Sequence, residues 1–276
     1  MEYSQPKKSS VGINGINLSF QISGRGFPLV LIHTDHTYAK YFLSSLSASQ
    51  NFQVITIDIP GYYSTGQKKA VDTLDKFIDL LDKLFDQLKF KKVDLLGECL
   101  GSVIVLKYAA KYPQRVRKLI VVSLPLRVFD RPIKKSFHPM VAFFKNYKIA
   151  GSLAKFIIRL NLWRQITDFF GGYQGFWDLF NREAALVSKF NFDQRVFWGV
   201  LTDLFETDIK KILQNLKSET LFVAGEKDKV TKKKEIMKLC QQHPNTSCAF
   251  IPKANHALVS KNTRQFNQLV TKFLLK

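Results

Sequence analysis

Hydrophobic positions along this chain follow two rhythms. Between residues 11 and 32, apolar residues alternate with small or polar ones around Asn14-Gly15, a dipeptide suited to a two-residue hairpin turn. Pro28-Leu29-Val30-Leu31-Ile32 and Phe52-Gln53-Val54-Ile55-Thr56-Ile57 are apolar nearly throughout, as strands covered on both faces require. The spacing then changes to threes and fours. Leu74, Phe77, Ile78, Leu81, Leu84, Phe85 and Leu88, with charges between them, predict an amphipathic helix. Val93-Asp94-Leu95-Leu96 predicts a strand, 103–111 a helix halted near Pro113, and Leu119-Ile120-Val121-Val122 a further strand. Alternation of strand and helix across 28–123 predicts right-handed crossovers and a mainly parallel sheet.

From about 126 to 216 the pattern changes to long helical stretches rich in Phe, which hold all three tryptophans, Trp163, Trp177 and Trp198. Alternation then resumes, with a strand at 220–224, a helix at 232–241, a strand at 248–251 and a last helix from about 263 to 275. The expected architecture is α/β: a mainly parallel central sheet with helices on both faces. Residues 1–125 and 217–276 form its core, and a helical cap at 126–216 interrupts it.

Composition narrows the setting. With 46% hydrophobic and 23% charged residues in 276, the chain can bury a substantial core and is not a disordered segment. Three cysteines cannot make a disulfide scaffold, so a reducing, cytoplasmic compartment is expected. No apolar run reaches the roughly 20 residues that span a bilayer, and the first residues lack the apolar block of a secretory signal. Lys and Arg outnumber Asp and Glu 42 to 22, a formal charge of +20. That field favours acidic partners, although lysines spread along the whole chain also fit a merely Lys-rich surface. Nucleic acid is not expected, because no recognition helix, zinc spacing or stacking signature accompanies the charge.

Chemistry concentrates at Leu95-Leu96-Gly97-Glu98-Cys99-Leu100-Gly101, between a strand and a helix. The pattern is G-x-S-x-G with cysteine in place of serine. A nucleophile held at so sharp a bend needs glycines where neighbouring backbone passes close by. The helix that follows points its N-terminus at the site, which lowers a thiol's pKa and offers amide donors to an oxyanion. A base and an orienting acid stand further on, His256 in Ala254-Asn255-His256-Ala257 and Asp228 in Gly225-Glu226-Lys227-Asp228. Loops after parallel strands gather along one sheet edge, so Cys99, Asp228 and His256 are expected to converge there.

These features resemble the α/β-hydrolase superfamily, in its capped branch of esterases, thioesterases and carbon–carbon bond hydrolases. The resemblance spans roughly 11 to 275. It rests on the order nucleophile, acid, histidine, on Gly225-x-x-Asp228, on Asp58-x-Pro60-Gly61 after an early strand, and on the helical insertion after residue 123. It implies an α/β-hydrolase fold with Cys99 as nucleophile, Asp228 as acid and His256 as base. The backbone N–H groups of Leu100 and Asp35 become the implied oxyanion donors. His33, Thr34, Trp163, Trp177 and Trp198 are the candidate substrate-binding residues, with a structural hydrogen bond as the favoured reading of His33 over a ligand role. Three positions depart from the pattern. Thr34 follows His33 where the family usually has glycine, Tyr63 stands where glycine is common, and Thr65 stands where serine is common.

Cysteine alters the expected substrate. A thiolate attacking an alkyl ester is itself the better leaving group, since a thiol has pKa near 8.5 and an alcohol is far less acidic. A thioester, enol ester or strained lactone removes that handicap. The expected function is therefore hydrolysis of a hydrophobic thioester or activated ester, with no cofactor or metal called for. An acyltransferase and a non-catalytic hydrophobic-ligand-binding homologue are the alternatives. An acidic carrier protein would suit the basic surface. Lys145, Lys148, Lys155 and Arg159 recur as a basic stripe in the insertion, whose helix either roofs an apolar pocket or makes peripheral membrane contact. Cys240 and Cys248, with apolar neighbours, are expected to be packing residues, and no cysteine–histidine pair has zinc spacing.

Overall fold

The computed structural model describes residues 7–32, 51–60, 71–126, 194–256 and 258–276. Two compact units are distinguished. One contains residues 1–58, 78–125 and 208–276, and the other contains 59–77 and 126–207.

Eight strands among the described residues form the first unit's sheet: β1 (Lys7–Ile13), β2 (Ile16–Gly24), β3 (Phe27–Ile32), β4 (Phe52–Ile57), β5 (Val93–Glu98), β6 (Val116–Val122), β7 (Glu219–Gly225) and β8 (Thr246–Ile251). Their order is β1-β2-β4-β3-β5-β6-β7-β8. The β1–β2 and β2–β4 pairs are antiparallel and every later pair is parallel, which bears out the expected mainly parallel sheet. The hairpin turns at Asn14 (φ 53°) and Gly15 (φ 75°), the left-handed pair that matches the twist of the strands. At the outer edge, β1 begins with exposed Lys7 and Lys8.

The described helices are α1 (Leu74–Gln87), α2 (Leu100–Lys111), α3 (Gln194–Glu206), α4 (Ile209–Gln214), α5 (Lys233–Gln242), α6 (Leu258–Lys261) and α7 (Thr263–Leu275). Strands β3 and β5 bury consecutive residues, so both of their faces are covered. On one face Leu29, Leu31, Leu96, Ile120 and Val122 pack against Phe266, Val270 and Phe273 of α7. Burying a side chain such as Phe266 contributes about 2–3 kcal/mol. Among the described residues, no helix is long and apolar enough to cross a membrane.

Polar groups tie the sheet together at β5 and β6. Asp94 is fully buried and accepts hydrogen bonds from the Arg117 side chain, through Nε at 2.9 Å and through Nη2, and from the Lys118 amide at 3.1 Å. Burial pushes the Asp94 carboxyl above its ordinary value against the opposing pull of Arg117, whose own guanidinium is held charged by the pair. Lys118 Nζ donates to the Phe273 carbonyl at 2.8 Å and so pins α7 to β6. In the second unit, the Leu74 amide at the start of α1 donates to Asp203 of α3 at 2.6 Å, a carboxylate placed at a helix N-terminus.

Candidate active site

Three turns at the carboxyl ends of parallel strands build the site. Cys99 directly follows β5, with φ 55° and ψ −114°, outside the regions a side chain prefers. Its amide is held by the Val122 carbonyl at 3.0 Å, and its carbonyl accepts the Ser102 amide at 3.0 Å and the Ser102 hydroxyl at 2.5 Å. Gly97 makes the bend feasible, since a Cβ there would lie 2.2 Å from the Gly101 carbonyl oxygen. Leu100 opens α2, so its amide has no acceptor within the helix. The Cys99 thiol is not in a disulfide and is 7% exposed.

The acid turn leaves β7. Asp228 is buried, its amide donates to the Gly225 carbonyl at 3.1 Å, and its Oδ1 accepts the Val230 and Thr231 amides at 2.8 and 3.0 Å. Two amides on one oxygen fix the carboxylate and leave Oδ2 for a partner. That partner is His256 Nδ1, at 2.8 Å. The histidine loop leaves β8 and folds over the acid turn, where the Lys227 amide donates to the Ala254 carbonyl at 2.8 Å. Nε2 of His256 is buried and finds no hydrogen-bond partner among the described residues, Cys99 included.

The structure therefore brings Asp228 and His256 together and sets Cys99 at a strained bend one strand from β6. With Nδ1 bonded to a carboxylate, the imidazole carries its acceptor or second proton at Nε2. In unliganded enzymes the bond between base and nucleophile is often long and tightens with substrate. Asp35, His33, Thr34, Trp163 and Trp177 lie outside the described residues, as do Tyr63 and Thr65. Trp198 falls within α3, but its side chain is outside what is described. Among the described residues no cluster of three metal-ligating side chains occurs.

Two features escape the sequence reading. Ser123, just past β6, is fully buried, has φ 50°, and donates its hydroxyl to the His256 carbonyl at 3.0 Å. Next to it, Leu124 offers its carbonyl to the Thr231 hydroxyl at 2.8 Å. The signal available in the sequence is a lone hydroxyl closing an apolar strand at the edge where loops gather. The second feature is that Cys240 and Cys248 lie against each other. Burial first, and the neighbouring Cys248 second, push the Cys240 thiol up to about 12.

Comparison with known proteins identifies the fold family. A family model described as alpha/beta hydrolase fold matches residues 28–263. The chain is 31% identical over 114 residues to a 2-hydroxymuconate semialdehyde hydrolase of Pseudomonas sp. (strain CF600), and that alignment covers 40% of each chain. It is 26% identical over 268 residues to a pimeloyl-(acyl-carrier protein) methyl ester esterase of Aliivibrio fischeri, covering 92% of this chain and 96% of the relative. Among solved structures, a hydrolase from Pseudomonas aeruginosa PA01 superposes with TM-score 0.72 at 18% identity, covering 97% and 98% of the two chains. An enol-lactonase from Burkholderia xenovorans LB400 superposes with TM-score 0.69 at 15% identity, covering 97% and 100%. With esterases and a lactonase among the proteins it resembles, and a family model matched over most of its length, the chain belongs to the α/β-hydrolase-fold family.

Proposed function

We propose that this protein hydrolyses a thioester, or an activated ester or lactone, of a hydrophobic acyl group, with Cys99, His256 and Asp228 as its triad. The observation that carries the reading is the Asp228–His256 pair at 2.8 Å, whose outer nitrogen is left over, in a sheet whose β5–α2 bend holds a cysteine at φ 55°. His256 takes the thiol proton as Cys99 Sγ forms a bond to the acyl carbon, and the amides of Leu100 and Asp35 receive the oxyanion. The carbon–sulfur or carbon–oxygen bond to the leaving group then breaks, and that group departs with the proton held by His256. Water repeats the cycle: its proton passes to His256 as its oxygen bonds to the acyl carbon, the bond from that carbon to Cys99 Sγ breaks, and His256 returns the proton to the sulfur as the acid is released. Asp228 holds the tautomer and stabilises the imidazolium.

The Phe-rich composition of the insertion at 126–216, with Trp163, Trp177 and Trp198, suits a hydrophobic acyl group. A free-thiol mechanism suits a reducing, cytoplasmic compartment. The basic surface adds a preference for anionic carriers of the acyl chain. Lys227, Lys229, Lys232, Lys234 and Lys253 are all exposed on or beside the loops that bear Asp228 and His256.

The test is a panel of acyl thioesters and activated esters read by intact mass, with Cys99→Ala as control. A single acyl adduct that appears on the native chain and is absent from Cys99→Ala is the expected result. An adduct that transfers to an added alcohol or amine in preference to water makes the protein an acyltransferase. No adduct with any member makes it a binding protein. Equal turnover of carrier-bound and free thioesters at low and high salt removes the carrier from the reading.

A further inference from the structure

We propose that Ser123 is a positioning residue that holds His256 beside Cys99, a role that rests on the triad reading above. Cys99 directly follows β5, and His256 issues from β8, three strands away in the sequence β5-β6-β7-β8. Neighbouring strands are about 4.8 Å apart, so the histidine leaves its strand roughly 14 Å from the line of β5. It has to double back across β7 to serve the thiol.

The hydrogen bonds trace that return. The Ala254 carbonyl sits on the Lys227 amide of the acid turn after β7, and two residues later the His256 carbonyl sits on the Ser123 hydroxyl at the end of β6. Asp228 fastens the imidazole ring, and Ser123 fastens the backbone that carries it. One bond to the ring alone would leave the side chain free to pivot about it. Two points of attachment define where Nε2 is.

Ser123 itself is built unusually for a strand end. It is completely buried, its amide donates to the Val223 carbonyl at 2.8 Å, and its φ of 50° is costly for any residue with a Cβ. Glycine would relieve that strain but carries no hydroxyl. Cys99 has nearly the same φ one strand away, and its amide is likewise held by the next strand. Leu124 meanwhile holds Thr231 of the acid turn, so two consecutive residues at the exit of β6 tether both loops.

Ser123→Gly and Ser123→Ala both delete the hydroxyl, but only the glycine relieves the backbone, so the pair separates positioning from mere stability. The first readout is the pH profile of iodoacetamide alkylation at Cys99 by intact mass, with Cys99→Ala giving the background. The second is kcat and KM on an activated acyl thioester, and the third is the urea midpoint. In the native chain, alkylation of Cys99 is expected to extend to lower pH than that of a free thiol. The expected result in both variants is a profile moved towards that of an isolated thiol and a kcat lower by about tenfold with KM nearly unchanged, while the Ser123→Gly midpoint stays at or above the native one. Native pH profile and kcat in both variants would overturn the proposal, as would a Ser123→Gly protein whose activity falls only in step with its midpoint. If the native chain itself titrates as an isolated thiol, the triad reading fails, and the positioning role falls with it.

Discussion

Gly225→Ala probes how closely the acid turn and the histidine loop are fitted. Gly225 closes β7, and a Cβ there would lie 2.4 Å from the Ala254 carbonyl oxygen, 2.6 Å from the Asn255 carbonyl oxygen and 2.7 Å from the Ala254 carbonyl carbon. All three are backbone atoms, so no rotamer change relieves the clash. Opening the shortest contact to roughly 3.2 Å, a close carbon–oxygen approach, requires about 0.8 Å of movement. The loop is tied down at Ala254 and again at His256, so the displacement passes to the imidazole or breaks a tie. Overpacking of this kind costs about 1–3 kcal/mol of stability. A shift near 1 Å at a catalytic group costs up to about 100-fold in rate, so a loss of about 10- to 100-fold in acyl-adduct formation on Cys99 is expected. The assay is the time course of adduct mass from an activated thioester, with urea unfolding followed in parallel by circular dichroism. Gly12→Ala is the control, since a Cβ there meets nothing within 4 Å. A Gly225→Ala protein that reacts within about twofold of the native rate would refute the claim that this contact sets the position of His256.

Two further predictions concern stability. Arg117→Ala strands the buried Asp94 carboxylate with the Lys118 amide as its remaining side of the pairing, at a cost of about 3 kcal/mol, the low end of the range because Arg117 is itself partly exposed. The double replacement Asp94→Leu with Arg117→Met is expected within about 1 kcal/mol of the native protein, because no charge is then left behind. Losses in the double variant equal to the sum of the singles, by urea titration, would contradict this. The second prediction is alkaline. The folded state holds the Cys240 proton more tightly than the unfolded chain does, so this group's contribution is complete below the ordinary thiol value of about 9 and is lost as pH climbs towards 12. Native protein should therefore lose stability faster than Cys240→Ala across that window in pH-dependent unfolding, and parallel curves would count against it.

How much was readable in advance depended on how local the cause was. The Asn14-Gly15 turn, the doubly buried β3 and β4, and the elbow between β5 and α2 all follow from neighbours in sequence, and each is found where expected. Boundaries were less legible. Helix α2 starts at Leu100 where 103 was expected, because Cys99 at positive φ replaces the usual capping side chain and Gly101 weakens the local signal. Strand β6 starts at Val116 where 119 was expected, because Arg117 and Lys118 look like loop residues until Asp94 and the Phe273 carbonyl are seen to receive them. The pairing of Asp228 with His256 was inferred from the edge at which parallel strands deliver their loops, and it is present. Ser123 stayed hidden because its partner is 133 residues away and is reached only once β8 has taken its place at the end of the sheet.

The outermost strand has a consequence for handling this protein. Strand β1 pairs on one side alone among the described residues, and an open row of amides and carbonyls invites the same row from another molecule. Lys7 and Lys8 stand on that margin, and charge on an unpaired edge discourages a second strand from adding there. Replacing both with threonine would uncharge that rim while leaving the rest of the sheet as it is, and faster self-association of the variant in concentrated solution, followed by light scattering, is the expected outcome.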